Sequence, residues 1–297
     1  MKLVDQICYG NFKASGRLPS PKGVALAILN LLQRDDFNVG DLVRLVQSDP
    51  AIALELLKFS NTANFGHRTP VVSLPKAVTI LGTRQVGVIV SALSILRSHR
   101  SGDCPQFDYE KFWSRALAAA ISAQALASYA HINADENFTA GLLCSLGELA
   151  LASVFPERYG EIISESDDGH NRVKLEQEAF GCDHRELSAT LVLEWGAPLK
   201  LATAIYNCEA PDESDIQDGT RTHGLTLCLH IALAAADICV AGDDGARKAM
   251  LPNLYAKAAR LEISEGEMNS TMDGIIVNWK EWGKQLKIQT REVVSFA

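Results

Sequence analysis

The stretch TAGLLCSLGELALASVFPERY, residues 139–159, reads as helix, and that reading decides the fold. Outward from it the periodicity is helical nearly throughout. Val24, Ile28, Leu31 and Leu32 follow the i, i+4, i+7, i+8 pattern of one buried face. Asn38 N-caps a helix carrying Leu42, Leu45 and Val46. At Asp49-Pro50 the aspartate caps and the proline takes the first helical position, where its missing N–H costs nothing, with Ile52, Leu56 and Leu57 turned inward. Ser73 caps a helix that has Pro75 in its first turn and ends at Gly82, and Thr83 opens another running to about Ser98. The polar segment RSGDCPQFD, residues 100–108, is broken by Gly102 and Pro105 and marks a boundary between two helical halves. A long alanine-rich helix is expected from Tyr109 to about Ala130. The acidic run DESDIQDGT after Pro211 is expected as an exposed loop, followed by helices around 221–241 and 264–287. No β-alternation recurs over several strands, and no repeat has solenoid length. The expected class is all-α, a multi-helix fold of two packed halves: residues 1–100, and residues 101–297 with a C-terminal helical extension.

Bulk properties narrow the function. The 297 residues suit one large domain or two closely packed ones. A formal charge of −8 argues against a non-specific nucleic-acid binder, which needs a basic surface to displace counterions. No apolar run reaches the ~20 residues of a membrane span; the nearest is VGVIVSALSIL, residues 86–96, and the start MKLVDQICYG has no signal-peptide core. The seven cysteines form no C-x-x-C pair, which fits reduced thiols in a cytoplasmic protein, most of them in the core.

Four segments carry a resemblance: SDPAIALELLKFSNTANFG (48–66), SLPKAVTILGTRQV (73–86), the GLL…LGELAL stretch, and EQEAFGCDHRELSATLVLEWGAPLKLATAI (176–205). In that order and register, from about Leu18 to Pro211, the chain resembles the HDOD family, bacterial regulatory domains related to the HD and HD-GYP phosphohydrolases. The resemblance implies a signal-transduction module, often found beside receiver or cyclic-dinucleotide-related domains. No complete receiver domain fits before Leu18, so a phosphorelay role calls for a separate protein.

The related enzymes hold one or two metal ions with histidines and aspartates from several helices, and the metals activate water and neutralise phosphate charge. Laid over this chain, the resemblance puts Arg115, in FWSRAL, where a histidine is common, and Cys144 and Ser145 at the adjacent His-Asp pair. His184, in GCDHREL, keeps its histidine. Asn207 and Cys208, in YNCE, stand at the paired histidines, and Asp237, in HIALAAADICV, keeps the last aspartate. Guanidinium cannot deprotonate to bind a metal, and metal affinity needs a full ligand set. The glycine-tyrosine-proline motif is also absent after Cys208. The implied protein is not an enzyme and has no catalytic residue, metal or cofactor. Its degenerate pocket comprises Arg115, Cys144, Ser145, His184, Asn207, Cys208 and Asp237.

Each survivor also has a structural reading. His184 is read as an N-terminal helix residue with Asp183 as its cap. Asp237 lies in an apolar helix and, if buried, must be paired, hydrogen-bonded or protonated; a backbone amide or Arg115 would serve. A sharper alternative has Cys144, His184, Cys208 and Asp237 converging on zinc. Asn61 is read as closing a helix with its side-chain amide tying two helices, and His67 and Arg68 as a solvated turn. Glu176 and Glu178 sit i, i+2 and cannot share a helix face, so one of them caps or bridges to a neighbouring helix. Trp279 and Trp282, spaced i, i+3, share a face and are read as core.

The function expected is a non-catalytic cytoplasmic signalling module that binds signalling proteins through helical faces, as a response-regulator-associated output or adaptor, with no membrane or nucleic-acid partner. One alternative is a nucleotide sensor using Arg115, His184 and Asn207, with a small nucleotide as ligand. The other is a metal-dependent phosphohydrolase with relocated ligands.

Overall fold

Cap chemistry sets the helix boundaries. The first helix is α1 (Gln6–Ala14), and α2 (Val24–Leu32) follows Gly23. α3 (Val39–Gln47) starts at Asn38, whose side chain accepts the Asp41 N–H. α4 (Pro50–Ser60) starts at Asp49, which accepts from Ala51 and Ile52, and α5 (Leu74–Leu81) starts at Ser73, which accepts from Lys76. Gly82, at φ 83°, separates α5 from α6 (Thr83–Ser98). Asn61 closes α4: its Nδ2 donates to Leu57 O at 2.8 Å and Val71 O at 2.7 Å, and its Oδ1 accepts the Val71 N–H at 2.6 Å. The amide therefore ties a helix end to the segment entering α5.

In the computed structural model, which describes residues 1–34, 36–61, 70–166, 169–293 and 295–296, the chain forms two units. One is Ser20–His99, with α2 to α6 around Ile28, Leu42, Val46, Leu56, Val78, Val86 and Ile95. The other joins Met1–Pro19, and so α1, to Arg100–Ala297. Among the described residues there is no strand, and the fold is all-α. His67 and Arg68 lie outside the described residues.

The second unit continues with α7 (Tyr109–Leu126), α8 (Ala134–Leu143), α9 (Leu146–Val154), α10 (Pro156–Glu165), α11 (Gly169–Phe180), α12 (His184–Glu194) and α13 (Leu199–Asn207). After a short 3-10 turn come α14 (Arg221–Val240), α15 (Asp244–Ala258) and α16 (Glu265–Leu286). Three boundaries differ from the sequence reading. The 139–159 stretch is not one helix: it breaks at Cys144 and Ser145 into α8 and α9 and again before α10. α7 stops at Leu126, because His131 takes φ 53° and the Ile132 N–H closes back on Ala127 O at 2.9 Å, a left-handed helix termination. α15 is a helix the sequence reading lacks. Pro252 sits inside it, and only Arg247, Leu254 and Ala258 are buried, so it shows a breaker and little periodicity.

α7 is the spine of this unit and packs against α8, α14 and α16. Its buried face carries Ala116, Ala118, Ala119, Ala120 and Ala123, small enough to admit close neighbours. Trp279 and Trp282 of α16 are both buried, and the Trp279 Nε1–H donates to Ser114 O at 3.0 Å. By length and composition two helical stretches, Ala134–Val154 and Arg221–Val240, are long and apolar enough to cross a membrane, which corrects the expectation that no run qualifies. α5 and α6 qualify only as a joined pair and are bent by 105°. Both single stretches have 83% of their apolar window buried inside the protein, so their apolar faces already have partners.

The contact between α7 and α8 is backbone-close. A Cβ added at Gly141 would sit 2.6 Å from Ala119 O and 2.8 Å from Ala120 Cα. Alanine normally favours a helix interior over glycine by about 1 kcal/mol. Gly141→Ala is expected to reverse that sign and lower the urea midpoint, with the m-value unchanged.

Candidate functional site

Charged side chains from five helices meet inside the second unit. Arg115 reaches out from α7. Its Nε donates to Asp237 Oδ1 of α14 at 2.5 Å, its Nη2 to Oδ2 at 3.4 Å, and its Nη1 to Ser145 Oγ at 3.1 Å. Nη1 also lies 3.8 Å from Glu148 Oε1 of α9. Burial works against the guanidinium charge, but Asp237 and Glu148 outweigh it and hold the Arg115 pKa above its ordinary value.

Glu148 links this group to a second one. Its Oε2 is 3.3 Å from Nη1 of Arg172, on α11. Burial alone would push the Glu148 carboxyl up, yet Arg172 and Arg115 hold it below its usual value. Arg172 Nε lies 3.6 Å from Glu176 Oε1, one turn along the same helix. Glu176 Oε2 accepts the His184 backbone N–H at 2.9 Å and stands 2.6 Å from its Nδ1. On the other side of the ring, Nε2 is 3.0 and 3.1 Å from the two oxygens of Glu209. The His184 side chain is wholly buried. Burial alone would lower its pKa, but Glu209 and Glu176 raise it to about 10. Both ring nitrogens therefore carry protons and donate to carboxylates at neutral pH. Burial would raise the Glu209 pKa, and the imidazolium instead pulls it far below the ordinary range.

Local structure fixes His184 in place. Asp183 caps α12 by accepting from Arg185 and Glu186, and Glu186 returns a bond to the Asp183 N–H, completing a capping box. Gly147 of α9 lies against the His184 backbone so closely that a Cβ there would overlap the His184 carbonyl. The Gly147 N–H donates to Ser188 Oγ at 2.8 Å, and that hydroxyl donates to His184 O at 2.8 Å.

Of the residues singled out from sequence, Arg115, Ser145 and Asp237 are in direct contact, and His184 joins them through Glu148 and Arg172. The other three bond locally. Cys144 Sγ donates to Gly141 O at 3.1 Å, Cys208 Sγ to Ile205 O at 3.1 Å, and Asn207 Nδ2 to Thr203 O at 2.7 Å. Burial pushes the Cys144 thiol up to about 12 and raises Cys208 as well. Cys144, His184, Cys208 and Asp237 do not assemble into a zinc set. Of the glutamate pair, Glu176 is buried and bridges to α12, while Glu178 is exposed. Sequence reasoning missed Glu148, Arg172 and Glu209. A lone carboxylate in the apolar LGELAL gave a signal for Glu148, and Glu209 adjoins Cys208. Arg172, in the polar run GHNRVK, gave none.

The related enzymes hold a metal in the corresponding interior. Glu148, His184 and Glu209 each offer an atom, and the three atoms lie within 4.8 Å of one another. The Glu176 carboxylate on Nδ1 is what a metal-ligating histidine often has behind it, and Glu209 on Nε2 is one of the three donors, so neither contact decides the matter. The Arg172 guanidinium lies 3.3 Å from Glu148 and 3.4 Å from His184 Nε2. A guanidinium among the donors competes with a metal ion for the same carboxylates, so these residues as arranged do not fit one.

The HDOD domain family model matches residues 18–211. The chain belongs to the HDOD family. That places it among bacterial signal-transduction domains, which typically lack the adjacent His-Asp pair of the enzymes. The MmoQ response regulator of Methylococcus capsulatus str. Bath is 34% identical, with a TM-score of 0.54 over 86% of this chain and 97% of that one. An HDOD domain protein from Geobacter sulfurreducens shares the fold at 16% identity, with a TM-score of 0.66 over 94% of this chain and 97% of that one. An uncharacterized protein of Treponema pallidum (strain Nichols) is 26% identical over 186 residues, which is 61% of this chain and 35% of that protein. The match thus spans about a third of the Treponema protein's length.

The His184 pKa makes stability depend on pH. Because the folded value of about 10 exceeds the ordinary 6.5, this stabilisation is complete below about pH 6.5 and is lost as pH rises toward 10. From pH 7 to 8 the His184 contribution to unfolding free energy is expected to fall by about 1 kcal/mol per pH unit, and above that the thiols, ordinary in the unfolded chain and raised by burial in the folded one, add to the fall. His184→Gln should flatten that slope. His184→Ala, which leaves the buried Glu176 and the part-exposed Glu209 facing each other, should cost about 3 kcal/mol at neutral pH by urea unfolding.

Proposed function

We propose that this HDOD domain is a non-catalytic cytoplasmic signalling module that acts through protein–protein contact. The observation that carries this reading is the Arg115 guanidinium, bonded to Asp237 and Ser145 at positions where the related enzymes place metal ligands. A divalent metal with an open coordination position can take a phosphate oxygen and activate water. A guanidinium held by an aspartate on one edge and a serine on another offers no deprotonable ligand. The network then serves to hold α7, α9, α11, α12 and α14 in one arrangement. The partner is taken to be a signalling protein, in keeping with 34% identity to a protein described as a response regulator. A net charge of −8 disfavours nucleic acid, and the burial of both apolar stretches disfavours a membrane.

The nucleotide-sensing alternative has less support, because Arg115 is already held by Asp237 and Asn207 bonds its own helix. A phosphohydrolase would need Arg172 out of the Glu148–His184–Glu209 cluster.

The test is hydrolysis of bis(p-nitrophenyl) phosphate with added manganese, iron or zinc, on protein whose metal content has been measured. Wild type is expected to hold less than one metal per chain and to turn over no faster than His184→Ala. Stoichiometric metal, with hydrolysis abolished by that substitution, would overturn the proposal. A rise in melting temperature with ATP, GTP or a cyclic dinucleotide would favour the sensor instead.

A further inference from the structure

The segment that follows α16 is laid across the two helices that carry Arg115 and Asp237. It leaves α16 at Lys287, which takes φ 56° and ψ 39°, and the Lys287 and Ile288 N–H groups both close on Gly283 O. Arg100 clamps the end of the helix, donating from Nη2 to Leu286 O at 2.6 Å and from Nη1 to Lys287 O at 2.8 Å. Beyond the clamp, Ser114 of α7 donates its hydroxyl to Gln289 O, while its own carbonyl accepts from Trp279. Gln289 Nε2 reaches Glu110 Oε1 at 3.4 Å. Further along, Arg291 Nη1 donates to Gly242 O, in the turn between α14 and α15, at 3.5 Å. The segment is thus tied to α7 at the residue before Arg115 and to the turn that follows Asp237 on α14.

α16 has a seat for this segment. A Cβ at Gly283 would lie 2.4 Å from Thr290 Cγ2 and 3.0 Å from Ile288 O, so the missing side chain is what lets residues 288–290 lie down on the helix. The hold on that seat is slight. Of residues 287–293 only Ile288 is buried. The ties around it lie at or near the surface: Lys280 pairs with Glu292 at 2.6 Å, and that glutamate is 95% exposed, while Ser295 Oγ and the Phe296 N–H bond Asp273 at 2.8 and 2.9 Å. A segment with few buried apolar contacts opens at a far smaller free-energy cost than the unit it lies on. What it covers is packed: Ser114, Trp279 and Gly283 are all buried.

We propose that residues 287–293 form a releasable strap that sets how firmly α7 is joined to the α14–α15 turn, and so how firmly Asp237 is kept on Arg115. Asp237 is the exposed end of the ion-pair run, with 41% of its side chain open to solvent, and it is the member that a shift of α14 parts first. Opening hinges at Lys287, because Arg100 holds the helix end before it. A residue other than glycine is strained in the left-handed region, and release lets Lys287 relax. Ser114 carries the coupling, since it bonds the strap through its hydroxyl and adjoins Arg115 in the chain. The coupling is reciprocal: lifting the strap loosens the Arg115–Asp237 pair, and parting that pair loosens the strap.

The experiment is limited trypsin digestion of the full folded chain, with mass spectrometry of the fragment ending at Lys287. Ile288 is buried when the strap is closed, so cleavage there reports opening. Rates are compared well below the urea midpoint of each variant. In wild type the cleavage is expected to depend on urea far less steeply than global unfolding does. Gly283→Ala fills the seat while favouring the helix, and should speed cleavage several-fold. Asp237→Asn, far along the chain from the cleaved bond, should also speed it several-fold, and should have little further effect once Ser114→Ala has removed the tie. Arg115→Lys, which keeps the charge and loses the fork, weakens the same pair and replaces Asp237→Asn if that variant does not fold. Cleavage that follows global unfolding alone, no acceleration in Gly283→Ala, no response to weakening the pair, or the same response with and without Ser114 would each overturn the proposal.

Discussion

A buried imidazolium between two carboxylates is the constraint from which the rest of the second unit follows. His184 has no exposed side-chain surface, and its charge is sustained only because Glu176 and Glu209 bracket the ring. Those carboxylates cannot be left alone either, so Arg172 serves Glu176 and Glu148, and Arg115 serves Glu148 and Asp237. The result is an alternating run: Asp237, Arg115, Glu148, Arg172, Glu176, His184, Glu209. Three cations face four carboxylates, and Lys257 lies within electrostatic reach of Asp237 and Glu209 as a fourth cation. Such a run is not an efficient way to gain stability, since apolar side chains of similar volume often do as well. It does make the centre of the run costly to break, because removing Glu176 or His184 leaves the other a buried charge short of a partner, whereas Asp237 at one end is 41% exposed. The helices carrying the run are thereby held to one register.

How far the sequence disclosed this depends on the range of the interaction. Caps are local, and Asn38, Asp49, Ser73 and Asp183 all cap helices in the way their positions suggest. Helix ends made by backbone geometry were less visible: nothing in the letters marks His131 for φ 53°. Long-range partners were visible only where a charge interrupts an apolar run, as Asp237 does in α14 and Glu148 does in α9. Arg172 sits in a polar stretch where an arginine reads as solvated. Its burial is created by α9 and α12 arriving from elsewhere in the chain. Gly147 belongs to the same class, since its necessity appears only when the His184 carbonyl is found against it.

Cys144 and Ser145 mark both a change in chemistry from the enzymes' pair and a break in the helix. In the sequence they interrupt nothing, yet the helix breaks there, and Ser145 turns its hydroxyl to the Arg115 guanidinium. Cys144 turns inward to the Gly141 carbonyl and behaves as a small apolar group. One of the two positions has joined the ion-pair network and the other has joined the core. Neither keeps a free lone pair aimed at a shared point, which is what a metal centre requires of adjacent ligands.

On the reading proposed above, an arginine stands where the related enzymes hold a metal, and that changes what the interior can sense. A metal site is loaded and emptied from solution, so its occupancy can report on the cell. A guanidinium tethered to α7 is always present, and its partners are fixed by folding. On that reading input arrives at the surface and reaches the interior by shifting helices that the network joins. The elements best placed for that are the ones tied to it at a single end: α12, which starts at His184, and the segment that ends in Glu209 just after α13. Movement of either would separate the imidazolium from a carboxylate. His184 is wholly buried and Glu209 is part-exposed, so separation leaves the imidazolium without one of its carboxylates in the interior, and the helices are expected to move together.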